Sequence, residues 1–319
     1  MADLNVPELG HVIVLAGGLS YEREVSLRSG RRVADALRAL DVDAQVHDAD
    51  ATLLQTLQQA PPDAVFPVLH GSMGEDGAIR DVLELVGVPY VGARPDACRV
   101  AWDKPTAKSV VRAAGLATPP SVTLPKEVFH DLGAAAVLEC VVRRLGLPLF
   151  VKPARGGSAL GASVVREAGD LPAAMVGCFA YGDAALIERH IEGTEVAVSV
   201  IERDGEPVAL PAVEIVPAGE LYDYTARYDA GDTEFVTPAR LPEEVARRAA
   251  EAAVTAHRAL GLRDLSRTDL IVDEAGQVHF LEVNVAPGMT ETSLFPRAVA
   301  AAGLNLGRIL HDLIVARLR

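Results

Sequence analysis

Short apolar runs alternate with helical patterns in the N-terminal third of the chain. Residues 11–16 form a continuous, mainly apolar run that ends at Gly17 and Gly18, as a strand buried on both faces of a parallel sheet does. The predicted elements are, in order, a strand over 11–16, a helix containing Val33, Leu37 and Leu40, a strand over 44–47, a helix over 53–59 and a strand over 63–69. This alternation predicts a doubly wound α/β unit that closes near residues 88–92.

The organisation changes after residue 102, where we place a domain boundary. A strand over 147–153 leads into the glycine-rich segment 154–161 and a returning strand over 162–165, which predicts a hairpin instead of a strand-to-helix loop. Further predicted elements are helices over 103–115, from Leu171 and over 242–260, and strands over 185–188 and 195–201. Residues 217–240 are a long polar stretch with little periodicity, which favours a functional lid over an ordinary connection.

A second predicted hairpin places like charges opposite each other. Its strands cover 266–273 and 278–284, so cross-strand counting pairs Asp273 with Val278, Asp269 with Glu282 and Arg267 with Asn284. Strand alternation then puts one set of side chains on a single face: Arg267, Asp269, Glu282 and Asn284, with Ile271 and Phe280 nearer the turn. Opposed carboxylates destabilise a hairpin unless a cation lies between them, and oxygen donors suit Mg²⁺. A solvated charged face is the alternative interpretation.

Two further segments indicate phosphate chemistry. Lys152 ends an apolar strand and needs an anionic partner if it is buried, and the loop Gly156-Gly157-Ser158 can direct N–H groups at a phosphate, although it also suits an ordinary turn. His70 follows the third strand, at the edge where α/β sheets bind ligands, and could act chemically or simply cap a helix. The chain lacks both the G-x-G-x-x-G and the G-x-x-x-x-G-K-[ST] patterns, which argues against a dinucleotide-dependent oxidoreductase.

Composition narrows the class of protein. The 319 residues predict two or three domains, and 30 basic against 44 acidic residues give a net charge of −14, which argues against nucleic-acid or anionic-membrane partners. The sequence contains no apolar stretch of about 18 residues and no basic, apolar leader at its start, so we expect a soluble cytoplasmic protein. Three cysteines without a C-x-x-C pair predict neither a disulfide framework nor a zinc site.

Five motifs together resemble the D-alanine–D-alanine ligases of the ATP-grasp superfamily. They are G-G-x-S-x-E-R-E-V-S-L at 17–27, H-G-x-x-G-E-D-G at 70–77, D-K at 103–104, Tyr222-Asp223-Tyr224 with Tyr228, and E-V-N-x-x-P-G-M-T-x-x-S at 282–293. The resemblance implies an N-terminal parallel-sheet domain followed by a two-lobed ATP-grasp fold. The implied segments are an α/β substrate-binding domain over 1–102, a central lobe over 103–192, and a C-terminal lobe over 193–319 that carries the metal site and the lid 217–240.

The resemblance also implies a role for each matching residue. Glu22 with His70 would bind the first D-alanine, and Ser293 with Leu294 the second. Arg267 and the N–H of Gly288 would stabilise the oxyanion, while Ser158 and Tyr228 would link the glycine loop and the lid to Glu22. ATP would contact Lys104, Lys152, Ser158, Glu188, Arg189, Ile191, Glu195, Phe280 and Glu282. Two Mg²⁺ ions, or Mn²⁺, would be held by Asp269, Glu282 and Asn284.

The implied activity is ATP-dependent ligation of two D-alanines through a D-alanyl phosphate, for peptidoglycan precursor synthesis, by a homodimer. Ala159 stands where the family usually has a second loop serine, and Arg227 where it usually has lysine. A related ligase that takes D-serine, D-lactate or another amino acid second therefore remains an alternative. A non-catalytic nucleotide-binding or regulatory protein is a further one, but it predicts an eroded metal hairpin, which the sequence does not have.

Overall fold

A computed structural model describes residues 9–217, 219 and 233–318. Its strands are β1 His11–Ala16, β2 Asp43–Asp48, β3 Ala64–Pro67, β4 Ser121–Pro125, β5 Leu149–Pro153, β6 Ser163–Val165, β7 Ala184–Arg189, β8 Gly193–Arg203, β9 Glu206–Ala209, β10 Val213–Pro217, β11 Thr233–Val236, β12 Leu265–Asp273 and β13 Val278–Asn284. Its helices are α1 Arg23–Arg38, α2 Leu53–Gln59, α3 Ser72–Glu75, α4 Ala78–Val86, α5 Pro95–Trp102, α6 Lys104–Ala113, α7 Lys126–Leu132, α8 Ala134–Leu145, α9 Leu171–Phe179, α10 Glu243–Ala259, α11 Leu294–Ala301 and α12 Leu306–Arg317.

The N-terminal part is the predicted parallel α/β unit. Its sheet has the order β2-β1-β3, and Tyr90 forms a parallel bridge to Val65 where the sequence predicts that the unit closes. Val12 and Val14 pack on one face of β1 while Ile13 and Leu15 pack on the other, so the strand is buried on both sides. Ligand-binding loops are therefore expected at the carboxyl edge, after β1 and β3.

Two antiparallel sheets follow. The smaller sheet, in the order β4-β7-β5-β6, contains the predicted glycine-rich hairpin between β5 and β6. The larger sheet has the order β11-β10-β8-β12-β13, with β9 paired to β8. The α/β class and the combination of a parallel-sheet part with two antiparallel lobes are thus confirmed.

A β-bulge in the second hairpin corrects part of its predicted register. Asp269 pairs with Glu282 and Arg267 with Asn284, as predicted, but the register shifts by one residue between Asp269 and Leu270. Val278 consequently pairs with Val272 and not with Asp273. The extra residue on β13 reverses the facing of the β13 side chains nearer the turn, because side chains alternate along a strand, whereas Ile271 on β12 keeps the face of Asp269.

The C-terminal helices close the core of the N-terminal sheet. Phe295 on α11 and Leu310 on α12 share a buried cluster with Val14 and Phe66. Among the described residues, no single helix is long and apolar enough to cross a membrane. Helices α11 and α12 reach the required length and apolar composition only when they are taken together, and the chain bends by 103° between them. The domain boundaries at 102/103 and 192/193 stay predictions.

Candidate active site

A cleft with two connected chambers lies where the three sheets meet. The outer chamber, of about 540 Å³, lies between the two antiparallel sheets, and its volume falls in the range of ligand pockets. The inner chamber is smaller, about 80 Å³, and is lined by the loops after β1 and β3 and by the turn after β13. Lys104, Gly156, Gly157 and Glu282 line both chambers, so a ligand in one can reach a ligand in the other.

Glu22 stands at the centre of the inner chamber, immediately before α1. The Ser158 hydroxyl donates a hydrogen bond to its carboxylate across 136 positions of sequence. A side chain added at Gly71, whose φ is +72°, would place its Cβ 2.9 Å from the same carboxylate. Gly71 therefore allows both the turn and the close approach, and the structure brings the predicted residues Glu22 and Ser158 together.

Glu75 on α3 is a second buried carboxyl in this chamber, and sequence reasoning missed it. Its Oε1 accepts the Gly71 N–H at 3.0 Å. Burial raises the pKa of Glu75 to about 8, and the negative charge of Glu22 adds to the rise. Glu75 lies within the H-G-x-x-G-E-D-G motif, but the spacing of that motif does not reveal how near it comes to Glu22.

Replacing Glu75 by glutamine is expected to change the pH dependence of folding stability. The raised pKa means that the protonated carboxyl stabilises the fold fully below the unfolded pKa of 4.5, and that this contribution is lost as the pH rises through about 8. Wild type should therefore lose about 4 kcal/mol of folding stability relative to Glu75→Gln between pH 5 and pH 8.5. Urea unfolding at pH 5 and pH 8.5 measures it, with exposed Glu127→Gln as the matched control. Parallel pH profiles in wild type and Glu75→Gln would contradict the expectation.

Arg267 and Asp269 form a buried pair on β12. The guanidinium donates from Nε and Nη2 to the two Asp269 oxygens at 2.7 and 2.8 Å. Arg267 lines the inner chamber and Asp269 the outer one, so the pair bridges the boundary between them. Such a bidentate contact fixes both the position and the plane of the guanidinium group.

Lys104 is bonded to the loop between β5 and β6. Lys104, at the start of α6, donates to the Gly156 carbonyl oxygen at 2.6 Å, and its Nζ lies 3.5 Å from Glu282. Ser158 and Ala159 have φ of 52° and 55°, the left-handed conformation that such a compact turn requires. The loop and the lysine thus form one unit between the two chambers.

Glu188 on β7 is held between two lysines in the outer chamber. Its oxygens lie 2.7 Å from Lys108 Nζ and 2.9 Å from Lys152 Nζ, and it is 2% exposed. Burial alone would raise the pKa of Glu188, but Lys152 and Lys108 hold it below its usual value. Burial in turn lowers the pKa of Lys108 to about 8. Sequence reasoning predicted Lys152 and Glu188 but missed Lys108, whose place on α6 gives no pattern that would distinguish it from a surface lysine.

The end of β7 borders the outer chamber, and two of its backbone N–H groups already form hydrogen bonds within the protein. The N–H groups of Arg189 and His190 donate to the carbonyl oxygens of Pro120 and Pro148, so neither is available to a ligand. Ile191 and Glu195, two of the expected ATP contacts, line the chamber. His190 stacks on Phe150, with ring centroids 6.3 Å apart, and both rings line the chamber although neither was predicted.

Phe280 is the predicted nucleotide contact that the structure places elsewhere. It is 1% exposed and packs with Leu270 and Val283 in the core of the larger sheet. Leu281 lines the outer chamber instead, together with Ile271. The bulge in β13 is the physical reason, because it turns the residue before Glu282 toward the cleft.

The turn after β13 completes the inner chamber. Gly288, Ser293 and Leu294, which the resemblance assigns to the oxyanion and the second substrate, all line it. Ser293 Oγ accepts the Thr290 N–H at 3.0 Å, and a Cβ at Gly288 would lie 2.7 Å from this hydroxyl. Only glycine therefore fits at 288 without displacing Ser293. Tyr222, Asp223, Tyr224, Arg227 and Tyr228 lie outside the described residues.

The donors on the second hairpin fit a hard divalent cation. Asp269 and Glu282 are paired across the strands, and both line the outer chamber. Asn284 lines the inner chamber, where its Oδ1 accepts the Ala286 N–H at 2.7 Å. Within the described ranges no three His, Cys, Asp or Glu side chains cluster as a metal site. Two carboxylates and an amide leave positions for ligand oxygens, as Mg²⁺ sites that bind phosphates do.

The cleft between two antiparallel lobes, with its cations and oxygen donors, is that of an ATP-dependent ligase with the ATP-grasp fold, the class to which the family match and the structural neighbours assign the chain. The D-alanine–D-alanine ligase C-terminal family model matches residues 110–315, and the N-terminal model matches residues 43–93. The chain belongs to the D-alanine–D-alanine ligase family.

Individual proteins of this family resemble the chain over nearly its full length. The D-alanine–D-alanine ligase of Pelotomaculum thermopropionicum is 40% identical and covers 94% of each chain; that of Geotalea uraniireducens is 41% identical, covering 98% of this chain and 96% of its own. Among solved structures, a D-alanine–D-alanine ligase from Bacillus anthracis has a TM-score of 0.79 at 29% identity, covering 97% of each chain. A D-Ala:D-Ser ligase from Enterococcus faecalis has a TM-score of 0.83 at 29% identity, covering 98% of this chain and all of that one.

Proposed function

We propose that this protein joins two D-alanines into D-alanyl-D-alanine, a building block of peptidoglycan, and converts ATP to ADP and phosphate. The observation that carries the proposal is the pair of connected chambers. The outer one has the size and cations for a nucleotide, and the inner one has the Glu22 carboxylate for the ammonium group of a small amino acid. Lys104 and Glu282 stand where the two ligands would meet.

ATP would lie along the outer chamber. Glu188 and the backbone at Ile191 would contact the adenine, Glu195 the ribose, and Lys152 and Lys104 the phosphates, with Ser158 and its loop N–H groups adding donors. Since Lys108 neutralises part of the Glu188 charge, Lys152 retains positive charge for the phosphates. Burial opposes that charge, but the Glu188 and Glu282 carboxylates raise the pKa of Lys152 above its usual value.

In the first step, a carboxylate oxygen of the first D-alanine attacks the terminal phosphorus of ATP, and the bond from phosphorus to the ADP oxygen breaks. Glu22 would hold the ammonium group so that the carboxylate points toward Lys104. Asp269, Glu282 and Asn284 would hold two Mg²⁺ ions, or Mn²⁺. When bound, such ions neutralise charge that develops on the transferred phosphoryl group.

In the second step, the neutral amine of the second D-alanine attacks the carbonyl carbon of the acyl phosphate, the bond from carbon to the phosphate oxygen breaks, and inorganic phosphate leaves with the proton that the nitrogen loses. Ser293 and the backbone at Leu294 would hold the second carboxylate. Arg267 and the Gly288 N–H would stabilise the oxyanion of the tetrahedral state. The family resemblance would give Tyr228, which lies outside the described residues, the role of linking the lid to Glu22.

Purified protein with ATP, Mg²⁺ and single amino acids tests the proposal. We expect phosphate release with D-alanine and not with L-alanine, and a product whose mass is that of the dipeptide. Reactions that contain D-alanine with D-serine or D-lactate show, by product mass, which compound the enzyme accepts as its second substrate. A mixed dipeptide or an ester that dominates near neutral pH would overturn D-alanine as the second substrate, and absence of phosphate release with any D-amino acid would overturn the function.

The proposal extends to assembly and location. We expect a homodimer in the cytoplasm, without nucleic-acid or membrane partners, in keeping with the net charge of −14. Sedimentation equilibrium measures the assembly state, and a monomer at micromolar concentration would contradict it.

A further inference from the structure

A ring of hydrogen bonds joins helix α1 to the turn after β13. Ser29 on α1 is fully buried, and His70, after β3, is nearly so. His70 Nδ1 lies 3.1 Å from the Ala286 carbonyl oxygen, and His70 Nε2 lies 3.3 Å from Ser29 Oγ. The Met289 N–H donates to the same Ser29 Oγ at 3.1 Å. The ring therefore begins and ends on the segment 286–289, which carries Gly288.

The chemistry of each atom fixes the direction of these bonds. A carbonyl oxygen only accepts, so His70 must carry its proton on Nδ1 and donate to Ala286. Ser29 Oγ accepts from Met289, which leaves its own proton for His70 Nε2. Burial lowers the pKa of His70, so the neutral form that this ring requires is the form present at neutral pH.

We propose that Ser29 is a positioning residue that acts through His70 to hold the turn 286–289 where the Gly288 N–H meets the oxyanion of the second step. This inference rests on the proposed function. In this arrangement the neutral His70 side chain holds the turn, and the buried Ser29 hydroxyl orients His70.

The turn is anchored on its other sides by independent contacts. The Ala286 N–H donates to Asn284 Oδ1, and Ser293 packs against Gly288. The Ser29–His70 ring supplies the anchor from the N-terminal part, to which α1 and β3 belong. An error of about 1 Å in the position of a reacting group can cost about 100-fold in rate. Ser29 lines neither chamber, so its effect on the reaction comes through the position of the turn.

The direct test is Ser29→Ala. We expect kcat to fall about 10-fold or more, and affinity for a tetrahedral phosphinate analogue of the dipeptide to fall by a similar factor. The KM for ATP should stay within about twofold, because the outer chamber is untouched. Ser29→Cys, which keeps the shape of the side chain at a slightly larger size but donates weakly, should lie between wild type and Ser29→Ala.

A matched control exists in the N-terminal sheet. His47 Nδ1 lies 2.7 Å from the Asp48 carbonyl oxygen and its Nε2 lies 3.1 Å from Thr56 Oγ1, the same carbonyl–imidazole–hydroxyl arrangement outside the cleft. Thr56→Ala should leave kcat and phosphinate affinity unchanged. Equal losses in Thr56→Ala and Ser29→Ala would overturn the proposal, because they would show a general effect on stability.

Two further readouts separate this proposal from the proposed function. Ser29→Ala combined with His70→Asn should cost little more than one change alone if the two residues act as one ring, and additive losses would overturn it. Amide hydrogen exchange at Met289 should accelerate in Ser29→Ala and not in Thr56→Ala, a result that needs no substrate. Unchanged exchange at Met289 would overturn the positioning role of Ser29, whatever reaction the protein catalyses. A wild-type protein that forms no dipeptide would overturn the proposed function alone.

Discussion

Arg267→Lys is expected to lower kcat by about 100-fold or more, with KM values for ATP and D-alanine changed little. Lysine keeps the charge but cannot reproduce the two parallel bonds from Arg267 to Asp269 at 2.7 and 2.8 Å. The proposed oxyanion donor and the orientation of the proposed metal ligand Asp269 would then be lost together. Steady-state kinetics at saturating D-alanine measures the effect.

Arg263→Lys is the matched control for this substitution. Arg263 lies just before β12 and donates to the Gly92 carbonyl oxygen at 2.6 Å, away from both chambers. Arg263→Lys should lower the free energy of unfolding and leave kcat unchanged. If Arg267→Lys retained more than about half of wild-type kcat, the oxyanion role of Arg267 would be refuted.

Glu282→Gln is expected to reduce turnover by at least about 1,000-fold, corresponding to about 4 kcal/mol of transition-state stabilisation. The amide keeps the size of the side chain but removes a charged donor that lines both chambers. Without it, the metal ions at the proposed site would bind weakly. Turnover as a function of Mg²⁺ concentration, together with Mn²⁺ binding followed by electron paramagnetic resonance, separates lost metal from lost fold.

Glu274→Gln supplies the comparison, since Glu274 is exposed in the turn of the same hairpin. Glu274→Gln should bind Mn²⁺ and turn over like wild type. The melting temperature should be unchanged in both Glu274→Gln and Glu282→Gln. Normal Mn²⁺ binding by Glu282→Gln would remove Glu282 from the metal site.

Much of the fold follows from patterns in the sequence, because period-two and helical spacing are local signals. The runs at 11–16 and 53–59 become β1 and α2 with the predicted bounds. Asp269 and Glu282 could be paired in advance, since hairpin pairing depends only on the position of the turn.

What the sequence could not reveal depends on tertiary contacts. The bulge in β13 moved Phe280 into the core and Leu281 into the cleft, and no residue type at that point signals it. Lys108 and Ser29 look like ordinary helical residues until α6 meets β7 and α1 meets the turn 286–289. Glu75 becomes unusual only because it is buried near Glu22.

Transfer of oxygen isotope from substrate to phosphate tests the central claim most directly. D-Alanine labelled with ¹⁸O in its carboxylate is incubated with ATP, Mg²⁺ and the enzyme, and the released phosphate is analysed by mass spectrometry. If the carboxylate attacks ATP, each phosphate carries one ¹⁸O atom and one D-alanyl-D-alanine forms per ADP. Unlabelled phosphate, or AMP and pyrophosphate in place of ADP, would contradict the account.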